Sequence, residues 1–169
     1  MNRRMRIAPM HDPIPVKEKE ISKIMPRITF EEPFSKKKAE LIGSLIAFSL
    51  NHLTGDACRK TRIHVIFERG LIKHDGFAAD LTADSLDGTG EFTIRLDSSM
   101  ELKSMLTYVA HECVHIKQYV LGEVTESLPP KNYWDDPLEI EAYGRELGLF
   151  VRWVVKYGHT KKKWASAIF

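Results

Sequence analysis

Cysteine is scarce in this chain, with only Cys58 and Cys113 among 169 residues. Two cysteines are too few for a disulfide framework or for a zinc ribbon built on cysteine ligands. Cys113 falls on the apolar side of a segment with helical periodicity, which favours a small core residue. The low count directs the search for function away from disulfide and cysteine–zinc chemistry.

The chain also lacks a long apolar run and a strong net charge. Residues 41–50 form the longest apolar stretch, which is interrupted and far short of the roughly 20 residues needed to span a bilayer. No continuous apolar segment follows the basic residues 1–6, so no secretory signal is predicted. A net charge of +2 and basic clusters without interleaved aromatic residues do not indicate a nucleic-acid partner. We expect a cytoplasmic protein with no membrane partner.

Length and proline distribution predict an arm followed by one domain. Five of the eight prolines lie in residues 1–34, which favours an extended or loosely attached arm with a short strand at 27–30. Residues 35–169 follow as a single domain. Its first helix is predicted after Ser35, and residues 62–67 and 91–96 have the composition of strands.

Residues 111–115, His-Glu-Cys-Val-His, form an HExxH motif within a helical pattern. Residues four apart on a helix lie one above the other, so His111 and His115 can reach a single metal ion. Glu112 lies about 100° round the helix from His111, next to the metal without pointing at it. That placement suits a general base acting on a water molecule that the metal activates.

The apolar residues around this motif recur at three- and four-residue steps and predict one buried stripe, formed by Leu102, Met105, Leu106, Val109, Cys113, Ile116 and Val120. His111 and His115 fall roughly opposite that stripe. Histidines kept for packing would lie on the stripe. The pair is therefore interpreted as cleft ligands rather than as two surface histidines of an amphipathic helix.

Catalytic zinc generally takes three protein ligands, and no histidine follows His115 until His159. An acidic helix is predicted to open at Pro137 and to run to about Tyr157. Its apolar side is predicted to consist of Ile140, Tyr143, Leu147, Phe150, Val151 and Val154. Glu139 and Glu141, in its first turns, are the candidate third ligands.

Glu139 and Glu141 point about 200° apart on a helix, so only one of them can face the metal. Glu139 borders the apolar side through Phe150, whereas Glu141 shares its face with Arg145. Two glycines near the Glu141 side would instead allow a close helix contact there. The pattern favours Glu139 and leaves Glu141 as the alternative.

HExxH followed by a helix with the spacing Glu-x-x-Ala, here Glu139 to Ala142, resembles the gluzincin zinc metallopeptidases. The short strand-then-helix layout is most similar to their minimal members, the ImmA/IrrE-type and phage-encoded metallopeptidases. The runs His-Glu-Cys-Val-His-Ile-Lys-Gln-Tyr and Pro-Leu-Glu-Ile-Glu-Ala-Tyr-Gly-Arg-Glu look especially like the phage-encoded group. The resemblance covers about residues 60–155. SprT-like proteins are similar in size and in HExxH, but their third histidine and Cys-rich zinc ribbon are absent here.

The resemblance implies a zincin-like α+β fold. In it a small, mostly antiparallel sheet packs on an N-terminal helix, the HExxH helix and a C-terminal glutamate-bearing helix. It also implies Zn²⁺ as the cofactor, held by His111, His115 and Glu139, and peptide-bond hydrolysis with Glu112 as the base. The strand at 91–96 would be an edge strand that holds an extended substrate.

Supporting residues follow from the same resemblance. Tyr143 lies four residues after Glu139, where gluzincins often carry an acidic or amide residue that orients a ligand histidine. Glu146, with Asp135–Asp136, remains a candidate for that orienting role. Tyr143 and Tyr133 are the candidate hydrogen-bond donors to the oxyanion.

The expected partner is a protein or peptide substrate in a bacterial or phage-infected cell, and no pattern indicates an oligomeric state. The alternative function is a metal-containing, non-catalytic binding protein that sequesters a partner protein. The intact Glu112 favours the enzyme, because a purely structural metal site has no need of a base.

Overall fold

The computed structural model describes residues 26–31, 35–84, 90–124 and 133–165, which adopt an α+β fold. In chain order the elements are β1 (Arg27–Phe30), α1 (Lys36–Thr54), β2 (Arg62–Glu68), α2 (Leu71–His74), β3 (Ala79–Ala83), β4 (Glu91–Asp97), α3 (Leu102–Val120) and α4 (Pro137–Lys156). Short 3₁₀ turns occur at Gly55–Lys60, Tyr133–Asp135 and His159–Lys161. Residues 1–25 and 32–34 of the predicted arm lie outside the described part.

The four strands form one mixed sheet in the order β1-β2-β4-β3. β1 pairs with β2 and β2 pairs with β4 in parallel, and only β3 pairs antiparallel with β4. The expectation of a mostly antiparallel sheet is therefore wrong. The reason is the connection through α1, which returns the chain to the end at which β1 began, so that β2 runs parallel to it.

The predicted edge position of residues 91–96 is also wrong, because β4 lies between β2 and β3. β3 takes the edge instead, with Leu81 opposite Ile94. At the other edge, β1 pairs with β2 from Arg27 opposite Arg62. The sheet thus begins within the segment assigned to the arm.

One face of the sheet is covered by helices and the other is polar. Ile63, Val65 and Ile94 from the strands pack with the apolar sides of α1 and α3 in a single core. On the opposite face, Arg95 binds the carboxylate of Asp80. Within the described ranges, no helix combines the length and the apolar composition needed to cross a membrane.

α4 packs on α3 and reaches α1, but through a different face from the one predicted. Phe150 and Val154 are buried as expected, together with Ala142, Leu149 and Trp153. Ile140, Tyr143 and Leu147, which were predicted on the apolar side, are exposed. Hydrophobic periodicity gives the wrong face because the side of α4 that faces α3 begins with a small residue and with glutamates. Periodicity assigns such residues to the solvent side.

Trp153 should be a main anchor of α4, because its ring is fully buried and its Nε1 donates to Ser44 Oγ of α1 at 3.1 Å. We expect Trp153→Ala to lower the free energy of unfolding by about 3–5 kcal/mol. Leu147→Ala, at a 53% exposed position of the same helix, should change it by less than about 0.5 kcal/mol. Denaturant unfolding measures both, and equal losses would contradict the observed orientation of α4.

Candidate metal centre

Two helices supply the residues of the candidate site. α3 carries the HExxH motif, and α4 brings Glu139 to it from its first turn. Asp136 fixes the start of α4, because its carboxylate accepts a hydrogen bond from the Leu138 N–H at 2.9 Å and Pro137 occupies the first helical position. Asp136 and Pro137 thus fix the residue at which α4 begins, and with it the position of Glu139 opposite α3.

The structure brings His111, His115 and Glu139 together. The two Nε2 atoms lie 3.1 Å apart. Each lies 3.4 Å from an oxygen of Glu139, His111 from Oε2 and His115 from Oε1. Ligands of a tetrahedral zinc ion with bonds of about 2.0–2.1 Å are separated by about 3.3 Å. The three donors therefore fit a zinc ion bound by two imidazole nitrogens and one carboxylate oxygen.

Glu146 fixes the tautomer of His111. His111 Nδ1 lies 2.9 Å from Glu146 Oε2, one turn of α4 beyond Tyr143. An ionised carboxylate only accepts hydrogen bonds, so Nδ1 carries the proton and the lone pair of Nε2 faces Glu139. Glu146, named from the sequence as a candidate for orienting a histidine, lies where that role requires.

Gln118 fixes the tautomer of His115 by the same logic. Its Nε2 donates to the carbonyl oxygen of Leu138 at 2.9 Å and to Glu141 Oε2 at 3.1 Å. Its Oε1 must then face His115 Nδ1, at 2.8 Å, and accept the proton there. Both histidines consequently direct an Nε2 lone pair towards the same point.

Glu141 lies outside the donor group and joins the two helices instead. Its carboxylate accepts from Lys117 Nζ at 2.9 Å and pairs with Arg145 at 2.8 Å. Lys117 is 8% exposed and also binds Glu123. Burial tends to raise the pKa of Glu141, but the hydrogen bonds from Lys117 and Gln118 lower it on balance. Of the two carboxylates left open by the sequence, Glu139 is the one at the histidine pair.

Burial and neighbouring charges shift the titration of the site. Burial acts to lower the pKa of His111, but the hydrogen bond to Glu146 and the charge of Glu112 raise it on balance. For His115 burial outweighs the hydrogen bond to Gln118, and the pKa falls. Glu112 is 5% exposed, and burial raises its pKa to about 7 although His111 opposes the shift. A carboxyl group with that pKa can both accept and return a proton near neutrality.

A cavity of about 660 Å³ opens onto the donor group. Its lining includes residues of β3 and of the Tyr133–Asp135 turn. Tyr143 contacts the ring of His111 edge-on, with centroids 4.6 Å apart. Tyr133 donates its hydroxyl to Glu139 Oε2 at 2.6 Å. Burial and this hydrogen bond raise the pKa of Tyr133 far above its ordinary value, so the phenol stays protonated.

Sequence reasoning missed Gln118 and Lys117 as part of the site. Gln118 follows His115 by three residues, and i, i+3 neighbours share a helix face, so spacing alone could have indicated it. Lys117 carried no such signal, because its partners Glu123 and Glu141 are set by how α4 packs. Comparison of the chain with family models, curated proteins and solved structures finds no match.

The different positions of Glu139 and Glu141 predict different effects of removing each charge. Glu139→Gln should lower zinc affinity at least about a hundredfold, since it removes one of three donors. Glu141→Gln should change zinc affinity less than about tenfold. It should instead lower the unfolding free energy of the metal-free protein by about 1–2 kcal/mol, because it weakens the contacts of Lys117. Competition with a chromophoric chelator and denaturant unfolding measure the two effects. The reverse ranking of zinc affinities would make Glu141 the ligand.

The raised pKa of Glu112 predicts a pH-dependent stability in the metal-free protein. Since the folded pKa is about 7 and the ordinary value is 4.5, the folded protein keeps a proton that the unfolded chain releases between these values. The contribution of Glu112 to stability therefore falls as pH rises through this window. Glu112→Gln should stabilise the protein by about 2 kcal/mol more near pH 8 than near pH 5. Unfolding in the presence of a chelator measures this, and an identical pH dependence for both proteins would refute it.

Proposed function

We propose that this protein is a zinc-dependent metallopeptidase of the gluzincin type, which hydrolyses a peptide bond in a protein substrate. The observation that carries the proposal is the donor group of His111, His115 and Glu139, at the mutual distances that a tetrahedral zinc ion requires, with Glu112 beside it on the same cavity. Two imidazoles and one carboxylate leave the fourth position open, as in catalytic zinc sites.

The choice of zinc rests on the chemistry of the donors. Calcium and magnesium prefer oxygen ligands, whereas two imidazole nitrogens favour zinc or another late transition metal. When bound, zinc supplies Lewis-acid polarisation of the substrate carbonyl and lowers the pKa of a water molecule. The hydrogen bonds from His111 to Glu146 and from His115 to Gln118 keep both rings oriented for binding.

Glu112 is the residue to move the proton. It follows His111 on α3, lines the cavity and has little access to bulk solvent. Its carboxylate accepts a proton from the attacking water and passes it to the leaving amine. A divalent cation held by His111, His115 and Glu139 would lower the pKa of Glu112 from its raised value and so favour the ionised form needed at the start of the reaction.

β3 is the element to hold the substrate. One side of it is hydrogen-bonded to β4, and as the last strand of the sheet it has no strand on its other side among the described residues. Ala79 and Leu81 line the same cavity as Glu112. An extended peptide pairs with such an edge through backbone hydrogen bonds. Its binding therefore does not depend on one particular side chain of the peptide.

Tyr133 and Tyr143 are the groups to stabilise the developing oxyanion. Both line the cavity, and both lie within contact of the proposed ligands. The single hydroxyl proton of Tyr133 is donated to Glu139 Oε2, so it would have to leave that carboxylate to reach an oxyanion. A protonated donor aimed at the carbonyl oxygen lowers the energy of the transition state more than that of the bound substrate.

The decisive variant is Glu112→Gln, which removes the proton acceptor and preserves the size of the side chain. We expect it to keep one zinc ion per chain and the wild-type fold, and to lower kcat at least about a hundredfold. Cleavage of casein and of a peptide library by zinc-loaded protein measures turnover, and elemental analysis measures zinc.

Glu101→Gln is the matched control, because Glu101 is an exposed glutamate at the start of the same helix. Its activity should equal that of the wild type. Undiminished cleavage by the Glu112 variant would exclude this residue as the base. A wild type that holds zinc, binds a partner protein and cleaves nothing would replace the peptidase with a sequestering protein.

A further inference from the structure

The cavity beside the donor group is unusually aromatic. Six of its nineteen lining residues are aromatic, against 9% of the whole chain, namely Phe77, Tyr108, Tyr119, Tyr133, Trp134 and Tyr143. A concave surface rich in aromatic rings is typical of sites that take an apolar group from a ligand. The aromatic lining therefore indicates which kind of substrate side chain the cavity binds, which the zinc ligands alone do not indicate.

Two of these rings come from different elements of the fold. Phe77 is 46% exposed and lies two residues before β3, while Trp134 is 65% exposed and belongs to the turn that precedes α4. The ring of Trp134 is held 5.5 Å from Tyr143 and 5.3 Å from Tyr133 between centroids. Exposed rings in a cavity differ from exposed residues on the convex surface, because a ligand side chain that enters the cavity can cover them.

The charges of the cavity exclude one class of side chain. Its lining, within the described residues, contains carboxylates such as Asp80 and Asp136 but no lysine or arginine. Arg95, which binds Asp80, is not among the lining residues. An aspartate or glutamate of a bound peptide would find no lysine or arginine in the lining to pair with, and only the metal ion could offset the repulsion from Asp136 and from Asp80, which Arg95 partly neutralises.

The edge of β3 directs a bound peptide past the ring of Phe77. A peptide paired with Ala79–Ala83 leaves the strand at the Ala79 end next to Phe77, since only Ala78 separates the two. Side chains along an extended peptide alternate, so those at every second position share one face. A side chain on the face towards the cavity then meets the lining that Phe77 and Trp134 share with the metal ligands.

We propose that the cavity selects peptides with an aromatic or large aliphatic side chain next to the scissile bond and rejects an acidic side chain there. Phe77 and Trp134 are the specificity-determining residues of this subsite. The inference rests on the proposed peptidase function for the same cavity, and it adds the class of substrate side chain.

The test uses the full chain loaded with zinc and fluorogenic peptides that differ at one position, carrying Phe, Ala or Glu. The wild type should cleave the Phe peptide with at least about tenfold higher kcat/KM than the Ala peptide, and the Glu peptide most slowly. Phe77→Ala and Trp134→Ala should each lower kcat/KM for the Phe peptide about tenfold more than for the Ala peptide. Leu147→Ala, which removes an exposed apolar side chain outside the cavity, should leave the ranking unchanged.

Zinc content and unfolding midpoints of the variants separate a lost subsite from a lost fold. Cleavage without a preference for Phe, or with a preference for Glu, would overturn the subsite and leave the peptidase intact. If the wild type cleaves none of the peptides, fluorescence anisotropy measures their affinities for the zinc-loaded protein, and these affinities test the subsite instead. Tighter binding of the Phe peptide, weakened by both cavity variants, supports the subsite even though the peptidase fails. Equal binding of all three peptides, or none, overturns it.

Discussion

The packing of α4 against α3 is the constraint on which the candidate site depends. His111, Glu112 and His115 lie on α3 and Glu139 lies on α4, so the distances between the donor atoms hold only while these two helices keep their relative position. Small and aliphatic residues form the contact, in a cluster of Ala110, Val114, Ala142 and Leu149. At its end the buried Lys117 binds Glu141 of the facing helix. Removing one partner of such a pair costs far more than an exposed ion pair would, so it resists sliding of one helix along the other.

The same packing brings carboxylates and two nitrogen lone pairs close together. This arrangement is unfavourable without a metal ion. Glu112, Glu139 and Glu146 approach two histidines whose Nε2 lone pairs face each other at 3.1 Å. In the metal-free protein part of the cost appears as the raised pKa of Glu112, because burial and the nearby carboxylates oppose its ionisation. A divalent cation would offset these charges and accept both lone pairs. The site therefore has both the donor geometry and the charge for a metal.

Local features of the sequence predicted which side chains come together at the histidine pair better than they predicted the order and direction of the strands. The i, i+4 spacing of His111 and His115 and the 200° separation of Glu139 from Glu141 depend on helix geometry alone, and the structure follows both. The direction of β2 and the edge position of β3 depend on how the chain crosses over, which strand composition does not encode. Gln118 lies between these cases, because its position shares a face with His115 but its partners come from α4.

The most direct test of the central claim is X-ray absorption at the zinc edge of the purified full chain. We predict one zinc per chain, with two imidazole nitrogens and oxygen donors at about 2.0–2.1 Å, no sulfur, and loss of one oxygen donor in Glu139→Gln. Sulfur at about 2.3 Å, a single imidazole, or a protein that binds no added zinc at neutral pH would contradict it.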